Sequence, residues 1–470
     1  MEEMNKSKPI RKPQLEDCPQ LIHRMQSLLA AKEAARTSVL SKSWLQAWST
    51  IPTPRFTKSL QRYPNIVTEE ETAYMNLIDN MLLRYDRDNI PIESFDLHFT
   101  FKENESTRLA EKVYSLPAVK YLQINTNVIK CVSLRVLELL NVHICEEILH
   151  NLLSTCSLLE KINLSVFYRS KMIRVKNLRY LEELQISSQP SLESMELDEL
   201  PCLHSFIFNE ALSIFVSNPI SINMDSIGNV IELSLVGVII DYALLDMIKS
   251  RFLFLESLTL QIEFSNSLKS MNITSLSLKR LTIRYGEMRK ISLQVYAPEL
   301  LHFNYTGFII PSLVFSIVAP ERIKVTLHPR RPMDYSFFLN FNEMLNLSTT
   351  FDIEIVHKWC MICLIECDFD IDVLRKSVPF PNMNMRRLLF STNTNSFSFE
   401  HLQFFNAFFS VCHPSYVTVC EPIINASDEN ECLSNYLVNV VMKEIIKKGY
   451  WSQLKVVEIK NFVGRMSNID

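Results

Sequence analysis

Two stretches of the chain, LELLNVHICEEILHNLLSTCSLLEKINL at residues 137–164 and LSLVGVIIDYALLDMIKSRFLFLESLTL at residues 233–260, align over 28 positions without a gap. Leu137, Leu139, Val142, Ile144, Ile148, Leu149, Leu152, Leu159, Ile162 and Leu164 face Leu233, Leu235, Val238, Ile240, Leu244, Leu245, Ile248, Leu255, Leu258 and Leu260. Each copy reads as a strand, a turn, an amphipathic helix and a second strand. One such unit cannot cover the apolar face of its own strand, so copies must stack and share a continuous core. That requirement points to an α/β fold assembled from repeated strand-and-return units.

The spacing of shorter motifs extends the pattern. The form L-x-x-L-x-L, with other large apolar residues allowed, occurs at Ile92-Phe95-Leu97, Val119-Leu122-Ile124, Leu134-Leu137-Leu139, Leu159-Ile162-Leu164 and Leu181-Leu184-Ile186. It returns at Leu203-Phe206-Phe208, Val230-Leu233-Leu235, Leu255-Leu258-Leu260, Leu278-Leu281-Ile283 and Leu300-Phe303-Tyr305. On the order of fifteen such triplets would arise by chance, so the period is the better signal. From residue 134 the first positions advance by 25, 22, 22, 27, 25, 23 and 22, inside the range of about 20–29 of leucine-rich repeats. Beyond residue 310 the period degenerates, with Met385-Leu388-Phe390 and Leu454-Val457-Ile459 as later strands.

The N-terminal part has a different periodicity. Residues 1–16 are polar, with Pro9 and Pro13, and read as a flexible tail. Leu21, Ile22, Met25, Leu28 and Leu29 then follow a helical spacing, Ala35 and Val39 share a face of a second helix, and Ser41 offers an N-cap for a third carrying Trp44, Leu45 and Trp48. Pro52 and Pro54 close it. So small a helical unit has little interior and calls for a partner or a neighbouring domain. Thr68 and Glu71 form a candidate capping box for a linker helix with Tyr74, Leu77, Ile78, Met81 and Leu82 on one face. The expected organisation is a tail over 1–16, a helical module over 17–56, a linker over 57–90, repeats over 91–310 and degenerate repeats over 311–470.

Composition removes several function classes. A net charge of −4 over 470 residues argues against a broad nucleic-acid footprint, and no basic or acidic stripe is evident along the chain. The six glycines build neither GxxxxGK nor GxGxxG, and HExxH and GxSxG do not occur. No apolar segment follows the basic N-terminal residues, and the longest apolar run, Phe308–Ala319, is broken by Pro311 and too short to span a bilayer. The expectation is a soluble protein of the cytoplasm or nucleus, with no membrane contact, its eleven cysteines reduced. His357, Cys360, Cys363 and Cys367 in HKWCMICLIEC supply metal-ligating atoms. FDIEIV and DFDIDV on either side read as extended chain, however, where Cys360 and Cys363 would point to opposite faces. Buried structural thiols are expected there, with no metal, no cofactor and no catalytic residue; an enzyme using these cysteines is the competing reading.

The stretch KEAARTSVLSKSWLQAW, residues 32–48, resembles the F-box of plant F-box/leucine-rich-repeat proteins, followed as in that family by a proline-containing exit, Ser49-Thr50-Ile51-Pro52. The order of F-box, linker helix and leucine-rich repeats is similar over about two-thirds of the chain. LKVVEIKNF, residues 454–462, resembles the opening of the FBD segment that ends many such proteins. The resemblance implies a three-helix F-box followed by a leucine-rich-repeat solenoid. It implies a non-catalytic substrate receptor of an SCF-type ubiquitin ligase, with the F-box docked on a Skp-family adaptor and through it on cullin, and the repeats holding an unknown protein substrate. The adaptor face carried over by position comprises Leu21, Ile22, Met25, Leu28, Leu29, Val39, Leu40, Trp44 and Trp48. Four positions depart from the family pattern: Asp17-Cys18 stand where it has Leu-Pro, Ala30 where Pro is common, and Ser43 where Arg precedes the tryptophan. These departures keep open a scaffold with an F-box-like module that no longer recruits the ligase.

Overall fold

The structure, a computed structural model, describes residues 18–51, 54–61, 69–88, 90, 94–102, 134–143, 146–167, 172–188, 192–210, 220–262, 268–347, 350–357, 370–378, 384–392, 399–422 and 456–462. The tail over 1–16, the strand at Val119-Leu122-Ile124, the capping residue Thr68 and the cysteines Cys360, Cys363 and Cys367 lie outside the described residues. The chain forms two compact units, one of Met1–Leu203 with Ile222–Ile227 and one of His204–Ser221 with Gly228–Asp470. Both are α/β with parallel strands, and neither sheet closes into a barrel among the described residues.

The first unit begins with three short helices, α1 (Pro19–Ser27), α2 (Ala31–Thr37) and α3 (Lys42–Ser49). Strand β1 (Arg55–Gln61), helix α4 (Glu69–Arg87), β2 (Ser94–Lys102) and β3 (Val136–His143) follow. Next come α5 (Glu146–Thr155), β4 (Lys161–Phe167), β5 (Met172–Lys176), β6 (Glu183–Ser188) and β7 (Ser194–Asp198). Strands β1, β2, β3, β4 and β6 lie side by side in that order, each parallel to the next. Parallel neighbours need a crossover connection. Helix α5 supplies one, and the short strand β5, paired with β7 in a second sheet, supplies another.

The second unit repeats the device. Its elements begin with β8 (Ser205–Glu210); of the next strand, β9 (Ser221–Asn223), Ile222 and Asn223 belong to the first unit. Then follow β10 (Glu232–Val236), α6 (Tyr242–Arg251), β11 (Ser257–Ile262), β12 (Ser270–Thr274), β13 (Arg280–Tyr285), β14 (Ser292–Tyr296) and β15 (His302–Gly307). They continue as β16 (Ser312–Phe315), β17 (Arg322–Leu327), α7 (Tyr335–Leu345), β18 (Phe351–His357), α8 (Ile371–Ser377), β19 (Met385–Thr392), α9 (Phe399–Val411), β20 (Tyr416–Pro422) and β21 (Val456–Phe462). The main sheet runs β8-β10-β11-β13-β15-β17-β18-β19-β20-β21, parallel throughout. Strands β12, β14 and β16 make a second parallel sheet on the return legs. The aligned sequence copies are β3-α5-β4 and β10-α6-β11, strand–helix–strand as their pattern requires.

Alternation sets which face is inside. Leu137, Leu139, Ile162, Leu164, Leu184 and Ile186 are fully buried in the first unit, and Leu258, Leu260, Leu281, Ile283, Phe303 and Tyr305 in the second. One backbone contact recurs with the period. The carbonyl ahead of a strand accepts two successive amides of the next repeat: Arg135 from Glu160 and Lys161, Ile231 from Glu256 and Ser257, Glu256 from Lys279 and Arg280, Lys279 from Leu301 and His302. This pins register, since a one-residue slip would turn every buried leucine outward. At the end of β10, Gly237 takes φ 82°, a conformation that only glycine adopts without cost. It starts the turn into α6, whose N-cap Asp241 accepts from the Leu244 amide at 2.8 Å.

The ladder continues beyond residue 310, where its sequence signal fades. Strands β17, β18 and β20 keep the parallel register, but the leading apolar position of the motif is occupied by Pro320, Ser348 and Pro414. Phenylalanine replaces leucine as the filler: Phe341 packs on Phe408 and Phe351 with centroids 5.2 Å and 6.1 Å apart, and Phe390 lies against Phe404 and Phe405 at 5.5 Å and 5.3 Å. FDIEIV is strand, as expected, whereas DFDIDV is not extended throughout. The Asp370 carboxylate accepts from the amides of Asp372 and Val373 and so starts helix α8. On α4, Ile78, Met81 and Tyr85 are buried, while Leu77 is exposed at the edge of the stripe.

Deleting a buried leucine from either aligned copy leaves a cavity that neighbours on both sides cannot refill. Leu164→Ala and Leu260→Ala are each expected to cost about 2–5 kcal/mol, read as a fall in the urea midpoint against exposed Leu276→Ala, which should move it by less than about 0.5 kcal/mol.

Candidate protein-docking surface

The N-terminal module has a small core. Ile22, Trp44 and Ala47 form one buried cluster, and Ala31 and Ala34 close the α2 side. Gln26, fully buried, ties the three helices together: its Nε2 donates to Thr37 Oγ1 on α2 at 2.8 Å and to the Trp44 carbonyl on α3 at 3.0 Å. Thr37 in turn donates its own hydroxyl to the Ala34 carbonyl at 2.7 Å. Ser41 caps α3 as expected, accepting from the Trp44 amide at 3.5 Å. Helix α1 starts on Pro19, whose missing amide costs nothing at that position, but its N-cap Cys18 makes no side-chain cap.

The nine residues carried over to the adaptor face separate into groups. Leu21, Met25, Leu28, Val39 and Leu40 point to solvent, with Leu28 at 70% and Val39 at 84% exposure. Leu21, Met25 and Leu28 follow one another at helical spacing along one side of α1. Val39 and Leu40 occupy the turn between α2 and α3. Ile22 and Trp44, at 0% and 8% exposure, fill the module's own core. Leu29 and Trp48 are half-buried. Leu45, absent from the carried-over set, is exposed on α3.

Trp48 is also part of a clamp. The Arg84 guanidinium of α4 lies over its ring at 4.3 Å, and the neighbouring Tyr85 donates its hydroxyl to the Ile51 carbonyl at 2.6 Å. Burial pushes the Tyr85 phenol up to about 12, against opposing contributions from Arg84, so it remains a donor at neutral pH. Helix α4 thereby grips the chain where it leaves α3. Neither Gln26 nor this clamp was foreseen from the sequence; a glutamine within an apolar stripe was the only available signal, and pairing across 34 residues gives none.

No protein-family model matches the chain, and no curated protein matches it. Among the described residues no group of three metal-ligating side chains occurs, and His357, at the end of β18, is the sole member of the HKWCMICLIEC set they include. Cys156 and Cys412 are buried, Cys412 packed 3.2 Å from the Met385 sulfur, while Cys18 is exposed. No helix among the described residues is long and apolar enough to cross a membrane.

Gln26→Ala is expected to lower module stability by about 1–3 kcal/mol, because Thr37 and the Trp44 carbonyl lose a buried partner; helix-selective loss in hydrogen exchange over 19–49 would register it. The Tyr85 contribution is complete below pH 10, the ordinary value, and is lost as pH rises through about 12. An alkaline melt should therefore show a wild-type loss over that window that Tyr85→Phe reduces, the remainder coming from other buried phenols such as Tyr74, also pushed up to about 12.

Proposed function

We propose that the chain is the substrate receptor of an SCF-type ubiquitin ligase, with its N-terminal module acting as an F-box that docks on a Skp-family adaptor and its parallel ladder acting as a leucine-rich-repeat solenoid that holds the target protein. The observation carrying this reading is the exposure of Leu21, Met25, Leu28, Val39 and Leu40 on a module whose core is already filled by Ile22, Trp44 and Ala47. Apolar side chains left in water on so small a unit are suited to an interface, each worth about 1.5–3 kcal/mol when covered. They stand within and beside the stretch that resembles the family motif. The adaptor would link the module to cullin, and the receptor itself performs no chemistry.

The departure at Asp17-Cys18 favours a second reading, a scaffold with an F-box-like module, because the family's Leu-Pro anchor is replaced by a charge and an uncapped helix start. Co-expression with the adaptor separates the two. The receptor reading expects a complex at micromolar concentration or below, equivalent to about −8 kcal/mol. Leu28→Asp and Val39→Asp should each weaken it by about 1–3 kcal/mol while leaving the melt unchanged, whereas Ile22→Asp should unfold the module. A wild-type protein that leaves the adaptor free at that concentration establishes the scaffold reading.

A further inference from the structure

We infer that the open face of strands β13, β15, β17 and β19 docks an acidic segment of a partner protein. Register brings together cations that are dispersed along the chain. Arg280 pairs with His302 and His302 with Arg322 in one row, Arg284 shares the next strand levels with Thr306 and Thr326, and Lys324 leads through Asp352 to Arg387. Arg280, Arg284, His302, Lys324 and Arg387 are exposed, and the Arg322 and Arg386 side chains are 43% and 42% exposed. With strands about 4.8 Å apart and about 3.3 Å per residue, Arg280, Arg284 and Arg322 span roughly 10 by 13 Å.

The local carboxylates do not neutralise this surface. Asp352, almost fully buried, serves two guanidiniums at once: Arg322 donates to it at 2.9 and 2.5 Å, Arg386 at 2.9 and 2.7 Å. Burial works against its charge, but the two arginines outweigh burial and hold the carboxyl below its usual range. One anion shared by two cations leaves a net positive node. Glu354 pairs with Lys324 at 3.2 Å. Among the described residues no ion pair involves Arg280, Arg284 or Arg387. The rows between carry Thr282, Asn304, Thr306 and Thr326, hydroxyl and amide groups able to donate to carboxylates, with Asn304 Nδ2 already 3.4 Å from Thr282 Oγ1. Leu276 and Val318, four residues ahead of Arg280 and Arg322, add exposed apolar area.

A protein segment suits this face better than a nucleic acid. Glu354 and Glu256 lie on these and the adjoining strands, paired with Lys324 and Lys279, and the whole chain is negative. A duplex carrying a charge every ~1.7 Å would meet them. A peptide places a few carboxylates where the arginines are and leaves the rest of its length neutral. The inference rests on the receptor reading only in naming the class of protein that the ladder would hold.

The test is fluorescence anisotropy with the full chain and a labelled peptide of about sixteen residues rich in Asp and Glu, against a control with Asn and Gln in their place. The acidic peptide should bind at least about tenfold more tightly than the control and weaken several-fold as salt rises from about 0.05 to 0.3 M. Arg280→Glu with Arg284→Glu should abolish binding while leaving the thermal melt in place. Arg387→Gln, on a different strand, should weaken it several-fold and stands in for the double variant should that fail to fold. Equal binding of the two peptides, full binding by the variants, or tighter binding of a single-stranded oligonucleotide overturns the inference. Adaptor binding measured on the same preparation keeps the questions apart: acidic-peptide binding without adaptor binding removes the ligase and retains the acidic dock, and the reverse pattern does the opposite.

Discussion

The described strands of the parallel ladder carry an apolar face that the neighbouring repeat finishes covering. That single constraint accounts for the parallel ladder, for the burial of alternate residues such as Leu258, Leu260, Leu281 and Ile283, and for the paired amides that meet the carbonyl ahead of strands such as β3, β10, β11 and β13. Burial and backbone pairing reinforce one another: the carbonyl contact fixes register, and register keeps the leucines inside. Return legs are then free to vary. A helix serves after β3 and β10 and a short strand after β4 and β11, because any segment that brings the chain back with an apolar side suffices.

The same register decides the exposed face. Residues that alternate with the buried ones line up across strands, so polar side chains separated by twenty or more positions become neighbours. Arg322 and Arg386 meet on Asp352 in this way, and Lys279 meets Glu256 at 2.6 Å. Exposed pairs of this kind contribute little to stability. The Asp352 node differs, since its carboxylate is nearly out of water and its partners reach it from two strands. Removing either arginine would leave the other to hold a buried charge.

The N-terminal module solves a different problem. With so few residues it cannot hide all its apolar side chains, and the division is sharp: Ile22, Trp44 and Ala47 inside, Leu28, Val39 and Leu40 outside. Gln26 gives the small core a polar centre that joins all three helices, and α4 closes on the exit through Tyr85 and Arg84. Buried and exposed apolar side chains thus stand one position apart at Ile22 and Leu21.

Most strands of the ladder were legible because a leucine at fixed spacing leaves a local trace. The described strands anticipated from L-x-x-L-x-L are all strands, and the aligned copies have the same element order. Strands β17 and β20 escaped because Pro320 and Pro414 occupy the leading position, β18 was marked only by the alternation of FDIEIV because Ser348 stands there, and α8 escaped because Asp370 caps a helix inside an alternating run. Helical periodicity marked Leu21, Ile22 and Met25 as one apolar stripe but could not say which of them another helix would cover. That is a property of packing, and only the placement of α3 settled it. The basic face was illegible for the same reason: Arg280, Arg284, Arg322, Lys324 and Arg387 form no run along the chain. The amino-acid sequence by itself determined the repeating unit, because burial periodicity is local. Which side chains then meet across repeats, and so what the surface can bind, was decided by the tertiary structure, because register converts distance along the chain into adjacency between strands.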